Sequence, residues 1–477
     1  MRGLAALAGA ALLLAAAVAA LAEPPWPMVR REASARAALG CPGGAPLPEW
    51  HYARLTDRKY RPGVPVWTSP ALAVVDGTPL AFLGGCDHAL TALDLAAKER
   101  RWSRMTNGPI LDAPVVGLVR DEPIVYFSSA DRSVYACLAR DGTRLWSREL
   151  VAPTTTLGDS RFSSPLLIGD LLVVSGFTHD KALPRSRQTG RLYGLAAETG
   201  IRRFEVEVSQ GPVGSPAGRV IDGRSLVFAA AQKGLLSCVD VTERRPSIRW
   251  RYQMPHEVLG APCLAAAGGR ELLFLGSKYG NLVALDARTG GEVWKRMAGN
   301  WIDNTVCAGE IGGRTVVYAG SHDYKVHAFD AGSGEPLFTR ALGGEVFAAP
   351  AFFSRGGRPA LAVACLDNHA YVLDASTGEV LTSYFTGTPI WDKVAKGDVQ
   401  WGSPAVVEAA GDEALVLGSY SGTVYVLPVT GECSLRTRTW SPASLWLGLL
   451  WTAGAFLLVV LPATLLLSRR RGDRRGA

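Results

Sequence analysis

No Cys-x-x-Cys and no Cys-x-x-Cys-His occurs in the 477 residues, which removes thioredoxin-like redox chemistry and c-type haem attachment. A Gly-x-Ser-x-Gly elbow, a phosphate-binding loop and a dinucleotide fingerprint are also missing. Histidine is scarce, at His51, His88, His179, His256, His322, His327 and His369, and no two of these have the His-x-x-x-His spacing of a helical zinc site. The folded body has little net charge. The formal +7 is concentrated at one end, where 469–475 holds five arginines against Asp473, and Arg2 lies in a segment read below as removed. A nucleic-acid binder carries its basic excess on the folded domain, so no nucleic-acid partner is expected. Disorder is excluded as well, because 48% of residues are hydrophobic, and 53 glycines with 29 prolines fit a turn-rich all-β fold.

What is present begins at the two ends. Met1-Arg2 opens an uncharged Leu/Ala run that closes in Ala20-Leu21-Ala22, the pattern of a secretory signal peptide over 1–22. Leu445 to Leu467 carries no charge and is long enough to cross a hydrocarbon core of about 30 Å. Arg469-Arg470-Arg471 follow at once, which places the basic tail 468–477 in the cytoplasm, and Trp440 and Trp446 suit the outer interface. Pro462 is tolerated in a membrane helix. The expected location is therefore a cell membrane crossed once, with the body on the extracytoplasmic, periplasmic side.

Between the ends the chain repeats. A small residue followed by proline opens each unit, at Ser69-Pro70, Ala113-Pro114, Ser164-Pro165, Ser215-Pro216, Ala261-Pro262, Ala349-Pro350 and Ser403-Pro404. The remaining opening falls at Asn304-Thr305-Val306-Cys307, without the proline. Three further apolar or alternating runs follow each opening. The third ends in turns such as Leu93-Asp94, Leu285-Asp286, Phe329-Asp330 and Leu373-Asp374. The fourth carries Trp102, Trp146, Trp250 or Trp294, or Phe204 or Phe338 in their place; Leu381 and Leu435 hold that place in the last two units. Four period-two segments in each unit of about 43 to 54 residues are the spacing of a propeller blade. The expected fold is all-β, an eight-bladed β-propeller of four-stranded blades over 64–440, plus one C-terminal transmembrane helix at 445–467. Residues 23–63 are read as an N-terminal extension.

Segments such as Leu285-Asp286-Ala287-Arg288-Thr289-Gly290-Gly291-Glu292-Val293-Trp294 and Leu373-Asp374-Ala375-Ser376-Thr377-Gly378-Glu379-Val380 resemble the PQQ-type propeller repeat. In that family an Ala-x-x-Gly-x-x-x-Trp pattern ties neighbouring blades together. The resemblance covers about Val64 to Trp440 and departs from the pattern in the last two units, which lack the tryptophan. The family holds quinoprotein dehydrogenases and also non-enzymatic propeller lipoproteins of outer-membrane assembly, and the chain is similar to the latter. An adjacent Cys-Cys pair, which the dehydrogenases generally use against the cofactor, is missing, and Leu39-Gly40-Cys41 follows no apolar segment that marks a lipidation site. No catalytic residue, cofactor or metal is therefore assigned. The alternatives are a PQQ- and calcium-dependent dehydrogenase, with Asp303, Asn304 and Asp392 as hard oxygen donors, or a ligand-sensing ectodomain. The ten residues after Leu467 are too short for a signalling domain, so a sensor needs a partner subunit.

Eight cysteines in an exported chain invite disulfides. Cys137 with Cys238, Cys263 with Cys307, and Cys86 with Cys365 fall at matching repeat positions, which reads as small buried residues in strands. Cys41 and Cys433 stand outside this scheme and are the pair able to staple the ring. His88 and His369 fall in equivalent turns.

With strands lettered a to d from axis to rim, the a–b and c–d turns share one face and are short. The b–c and d–a loops share the other face and hold the long, aromatic segments: 151–163, 177–190, 254–260, 300–304 and 386–402. Function concentrates on long loops of a rigid scaffold. The expected protein-binding residues are Trp301, Asp303, Trp391, Asp392, Trp401, His256, Arg185 and Arg187, with Glu257, His179, Asp180 and Lys181 nearby. Tryptophan with arginine is the composition of an interaction hot spot, although large side chains also plug a tapering channel.

Overall fold

The apolar runs become strands of eight antiparallel sheets, arranged as a propeller in a computed structural model that describes residues 53–54, 66, 68–97, 99–150, 160–178, 189–385, 403–409, 412–418 and 423–429. Blades 1 to 7 span 71–105, 115–149, 160–210, 217–253, 263–297, 307–341 and 351–385; blade 8 spans 405–428. In blade 3 the inner strand is split into Ser160–Phe162 and Leu166–Ile168, both paired with Leu171–Thr178. The segments 1–22, 445–467 and 468–477, together with Cys41 and Cys433, lie outside the described residues. Among the described residues no helix is long and apolar enough to cross a membrane.

Burial follows from the stacking of blades. The second and third strands are covered on both faces by neighbours, so Thr78–Gly84 and Ala89–Asp94 are buried almost throughout, as continuous apolar runs require. The outer strand Glu99–Met105 is covered on one face only and alternates half-buried with exposed residues. A β-bulge shifts the register between the third and outer strands, after Ala92, Ala136, Gly194, Cys238, Ala284, Ala328 and Val372. It sets each outer aromatic opposite a small residue: Trp102 over Ala92, Trp250 over Cys238, Phe204 over Gly194.

From there the tryptophan reaches the next blade. The indole Nε1 of Trp102, Trp146, Trp250 and Trp294 donates to the carbonyls of Ala139, Ala197, Ala287 and Ala331 at 2.9, 3.0, 3.1 and 2.9 Å. Each ring lies on the glycine three residues later. A Cβ added to Gly142, Gly200, Gly290 or Gly334 would stand 2.6 Å from ring carbons, and each of these glycines has positive φ. Glycine is thus required twice over, by conformation and by space. This is the physical content of the Ala-x-x-Gly-x-x-x-Trp pattern.

A second belt runs near the axis through the blade openings. The backbone N–H of one opening residue donates to the hydroxyl of the next: Ala113 to Ser164, Ser164 to Ser215, Ala261 to Thr305, Ala349 to Ser403, and Ser403 to Ser69. Thr305 supplies the hydroxyl for the Ala261 link where the proline is missing, and Val306 is buried in the proline's place.

Four sequence readings change. The outer place in blade 8, assigned to Leu435, is taken by Ala53–Arg54, which pairs antiparallel with Val424 and Thr423; Leu435 lies outside the described residues. A two-residue strand far away in sequence leaves no local signal. Cys137 and Cys238 are not equivalent: Cys238 faces Trp250 as Ala136 faces Trp146, one residue before Cys137. Likewise the β-ladders align Cys365 with Gly85 and His88 with Asn368, one residue out of step with the expected pairs. Cys263 and Cys307 do match, opposite Phe274 and Tyr318.

Candidate interaction face

On the b–c/d–a face, called upper here, each d–a segment crosses the b–c turn of the following blade and is bonded to it through the backbone. Ala130, Gln232, Lys278, His322 and Leu366 donate their N–H groups to the carbonyls of Pro109, Pro212, Glu257, Trp301 and Glu345 at 2.9 to 3.1 Å. Carboxylates at the turns reinforce this. Asp131 accepts from Tyr135 Oη at 2.6 Å and from the Asn107 N–H; Asp367 accepts from Tyr371 Oη; Asp323 pairs with His327 Nε2 at 2.9 Å. Burial works to raise the Asp323 carboxyl, but the hydrogen bond and charge of His327, with Ser321 and Lys325, bring it below the usual carboxylate range. These histidines and carboxylates are structural members of the turns.

The b–c turns also hold bulky residues in the left-handed region: His88, Arg132, Tyr279, Tyr324 and Asn368 have φ between 65° and 75°. Gly234 serves there in blade 4, with φ of 87°. A side chain in that conformation costs about 1 kcal/mol relative to glycine, so the upper rim keeps side chains that a glycine would spare.

On blades 4 to 6 they join an aromatic row. His256 and Tyr279 have ring centroids 4.8 Å apart, Tyr279 and Trp301 6.4 Å, Trp301 and His322 5.5 Å, and His322 and Phe347 3.7 Å. The row descends from Tyr279, which is 60% exposed, to Phe347, which is 7% exposed. Lys278 Nζ lies 5.1 Å from the Trp301 ring centroid and 2.6 Å from Glu257 Oε2. Beneath it, His322 Nε2 stands 2.9 Å from Asp303 Oδ2, close but off the line of a hydrogen bond, and Asp303 Oδ1 is buried with no hydrogen-bond partner among the described residues.

The structure thus brings His256, Trp301 and Asp303 together. Trp391, Asp392, Trp401, Arg185 and Arg187 lie outside the described residues, as do His179, Asp180 and Lys181. Tyr279, Lys278, His322 and Phe347 were missed. The one signal for Tyr279 was a bulky aromatic before Gly280 in a turn otherwise built of small or polar residues.

Nucleophilic and metal chemistry find little footing. The six described cysteines are free, and burial pushes the thiols up, to about 12 at Cys86 and Cys307 and about 11 at Cys263. No group of three or more His, Cys, Asp or Glu among the described residues is placed to hold a metal ion. Of the oxygen donors considered for calcium, Asn304 Oδ1 accepts the Thr305 N–H at 2.8 Å, Asp303 lies 2.9 Å from His322 Nε2 with its Oδ1 unpartnered among the described residues, and Asp392 lies outside them. What the upper face offers instead is a fixed, partly exposed aromatic platform flanked by a lysine–glutamate pair.

Blade geometry and docking pattern define the class as a PQQ-like repeat β-propeller. Within it, the chain belongs to the family described as "Outer membrane protein assembly factor BamB", whose profile matches residues 50–296 and 278–442. A stretch of 136 residues is 34% identical to Protein Rv3035 of Mycobacterium tuberculosis, covering 27% of this chain and 31% of that protein, so under a third of the relative's length is spanned. BamB from Moraxella catarrhalis superposes with a TM-score of 0.53 at 16% identity, over 79% of this chain and 95% of that one. Quinohemoprotein alcohol dehydrogenase from Comamonas testosteroni gives 0.59 at 13% identity, over 78% and 75%. At such identities the two structures share the fold alone.

Proposed function

We propose that this chain is a non-enzymatic, membrane-anchored extracytoplasmic propeller that serves as a protein-interaction scaffold in envelope protein assembly. In this reading a signal peptide at 1–22 exports it, a helix at 445–467 holds it, and the tail 468–477 is cytoplasmic. The aromatic row His256–Tyr279–Trp301 carries the reading: it is exposed at one end, strained at Tyr279 and braced beneath by backbone bonds between blades. Aromatic anchors on a rigid base bind a protein surface with little ordering cost. Membership of the outer-membrane assembly family supports the context. The test is crosslinking from native membranes with Tyr279→Ala and Trp301→Ala together. The expected outcome is loss of a reproducible protein partner by tenfold or so with Tm unchanged; retention of the same partners sinks the reading.

A further inference from the structure

The lower face, made by the a–b and c–d turns, has its own apolar feature. Val74, Leu118 and Val220 are 62%, 69% and 58% exposed and occupy one register, the fourth residue of the inner strand in blades 1, 2 and 4. Leu145 and Ile201, 44% and 60% exposed, lie beside the c–d turns of blades 2 and 3. In blades 5, 6 and 7 the same register holds Ala266, Glu310 and Ser354. Single exposed hydrophobics need no explanation, but repetition at one register on one half of a face does. Part of the charge around them is taken up in pairs, Arg120 with Glu198, Arg140 with Glu122, Arg203 with Asp170 and Arg224 with Asp240, while Asp76, Asp121, Glu243, Arg244 and Arg245 are exposed on the same turns outside these pairs. The half-face therefore offers exposed apolar side chains set among charged turn residues of both signs.

The path of the chain points to what covers it. The last described residue, Val429, bonds through its N–H to Glu413 O at the start of the c–d turn of blade 8, on this lower face and next to blade 1. Residues 430–444 then separate it from the uncharged run that begins at Leu445, and fifteen residues reach about 50 Å at most. We propose that the lower face of blades 1 to 4 rests on the lipid surface, with Val74, Leu118 and Val220 entering the interface; this rests on the reading of 445–467 as a membrane helix. The contact is made by apolar side chains, so neutral lipid suffices for it.

The test uses the full chain in phosphatidylcholine vesicles with a membrane-soluble carbene photolabel, mapped by mass spectrometry. Peptides 71–76, 115–121 and 217–223 are expected to be labelled about threefold or more above 277–281 and 298–303. The combined variant Val74→Asp, Leu118→Asp and Val220→Asp brings them down to the upper-face level at unchanged Tm. Equal labelling of both faces in the unaltered chain overturns the proposal without recourse to any variant. Carbonate extraction reads the helix separately: a chain retained in the pellet with an unlabelled lower face overturns the lipid contact alone, and one washed off unlabelled overturns both. A lower face protected in native membranes but unlabelled in pure lipid overturns it in favour of a protein partner.

Discussion

Blades 5 and 6 meet through a tryptophan, and blades 6 and 7 do not, yet the same acceptor is satisfied in both. In the first interface Trp294 Nε1 donates to Ala331 O at 2.9 Å and its ring covers Gly334. In the second, Phe338 covers Gly378, and the missing donor comes from another strand: Tyr318 Oη donates to Ala375 O at 2.9 Å. Blade 7 goes further, since Arg355 Nε of its inner strand donates to Val429 O at 2.9 Å across to blade 8. The difference teaches that the repeat conserves a task rather than a residue. A buried carbonyl at the c–d turn must be met, and the ring over the turn and the donor to it are separable parts.

The comparison breaks most severely at Trp294→Ala, which removes ring and donor together; a loss of about 3–5 kcal/mol is expected by denaturant unfolding. Gly334→Ala follows, at about 2–4 kcal/mol, because its φ is +71° and the new Cβ stands 2.6 Å from the indole. Tyr318→Phe keeps the ring and deletes only the donor, so about 1–2 kcal/mol is expected. The matched control is Tyr126→Phe at the equivalent site of blade 2. There Trp146 already supplies the donor and the Tyr126 hydroxyl is buried with no hydrogen-bond partner among the described residues, so no loss of stability is expected. A cost at Tyr126 equal to that at Tyr318 contradicts the division of labour.

The smallest effect concerns pH. Asp323 sits below its unfolded value of 3.8, so its contribution is present above that value and is lost as pH falls through the lower folded value. Asp323→Asn is expected to flatten the loss of stability as pH falls below about 4 relative to the unaltered chain, by thermal melts across that range. Parallel curves for the two proteins contradict this.

Much of the fold was legible because docking uses a periodic set of residues. The tryptophans, the glycines three residues after a turn alanine, and the small residues at blade openings recur at fixed spacing and announce the ring. The remainder depends on geometry that spacing does not carry. A bulge of one residue moved Cys137 off the position of Cys238, since a single added residue exchanges the two sides of a strand. The hydroxyl of Tyr318 looks like any core aromatic until the absent indole beside it is seen. At the upper face, Trp301 and His256 were read from loop composition, whereas Tyr279 was hidden in a four-residue turn, made prominent only by its left-handed backbone.

The pairing of Ala53–Arg54 with Val424 and Thr423 gives the ring a mechanical weak point. Every other described blade has its outer strand joined covalently to its third by a turn, so tension along the chain must shear a whole ladder to part them. At the seam, among the described residues, two residue pairs join the rim, the Ser403–Ser69 bond joins the axis, and apolar packing of Val66, Ala81 and Leu83 against Val416 and Val424 lies between. The outer strand of blade 8 is therefore the one expected to detach first under load, while the tryptophan-locked blades stay stacked.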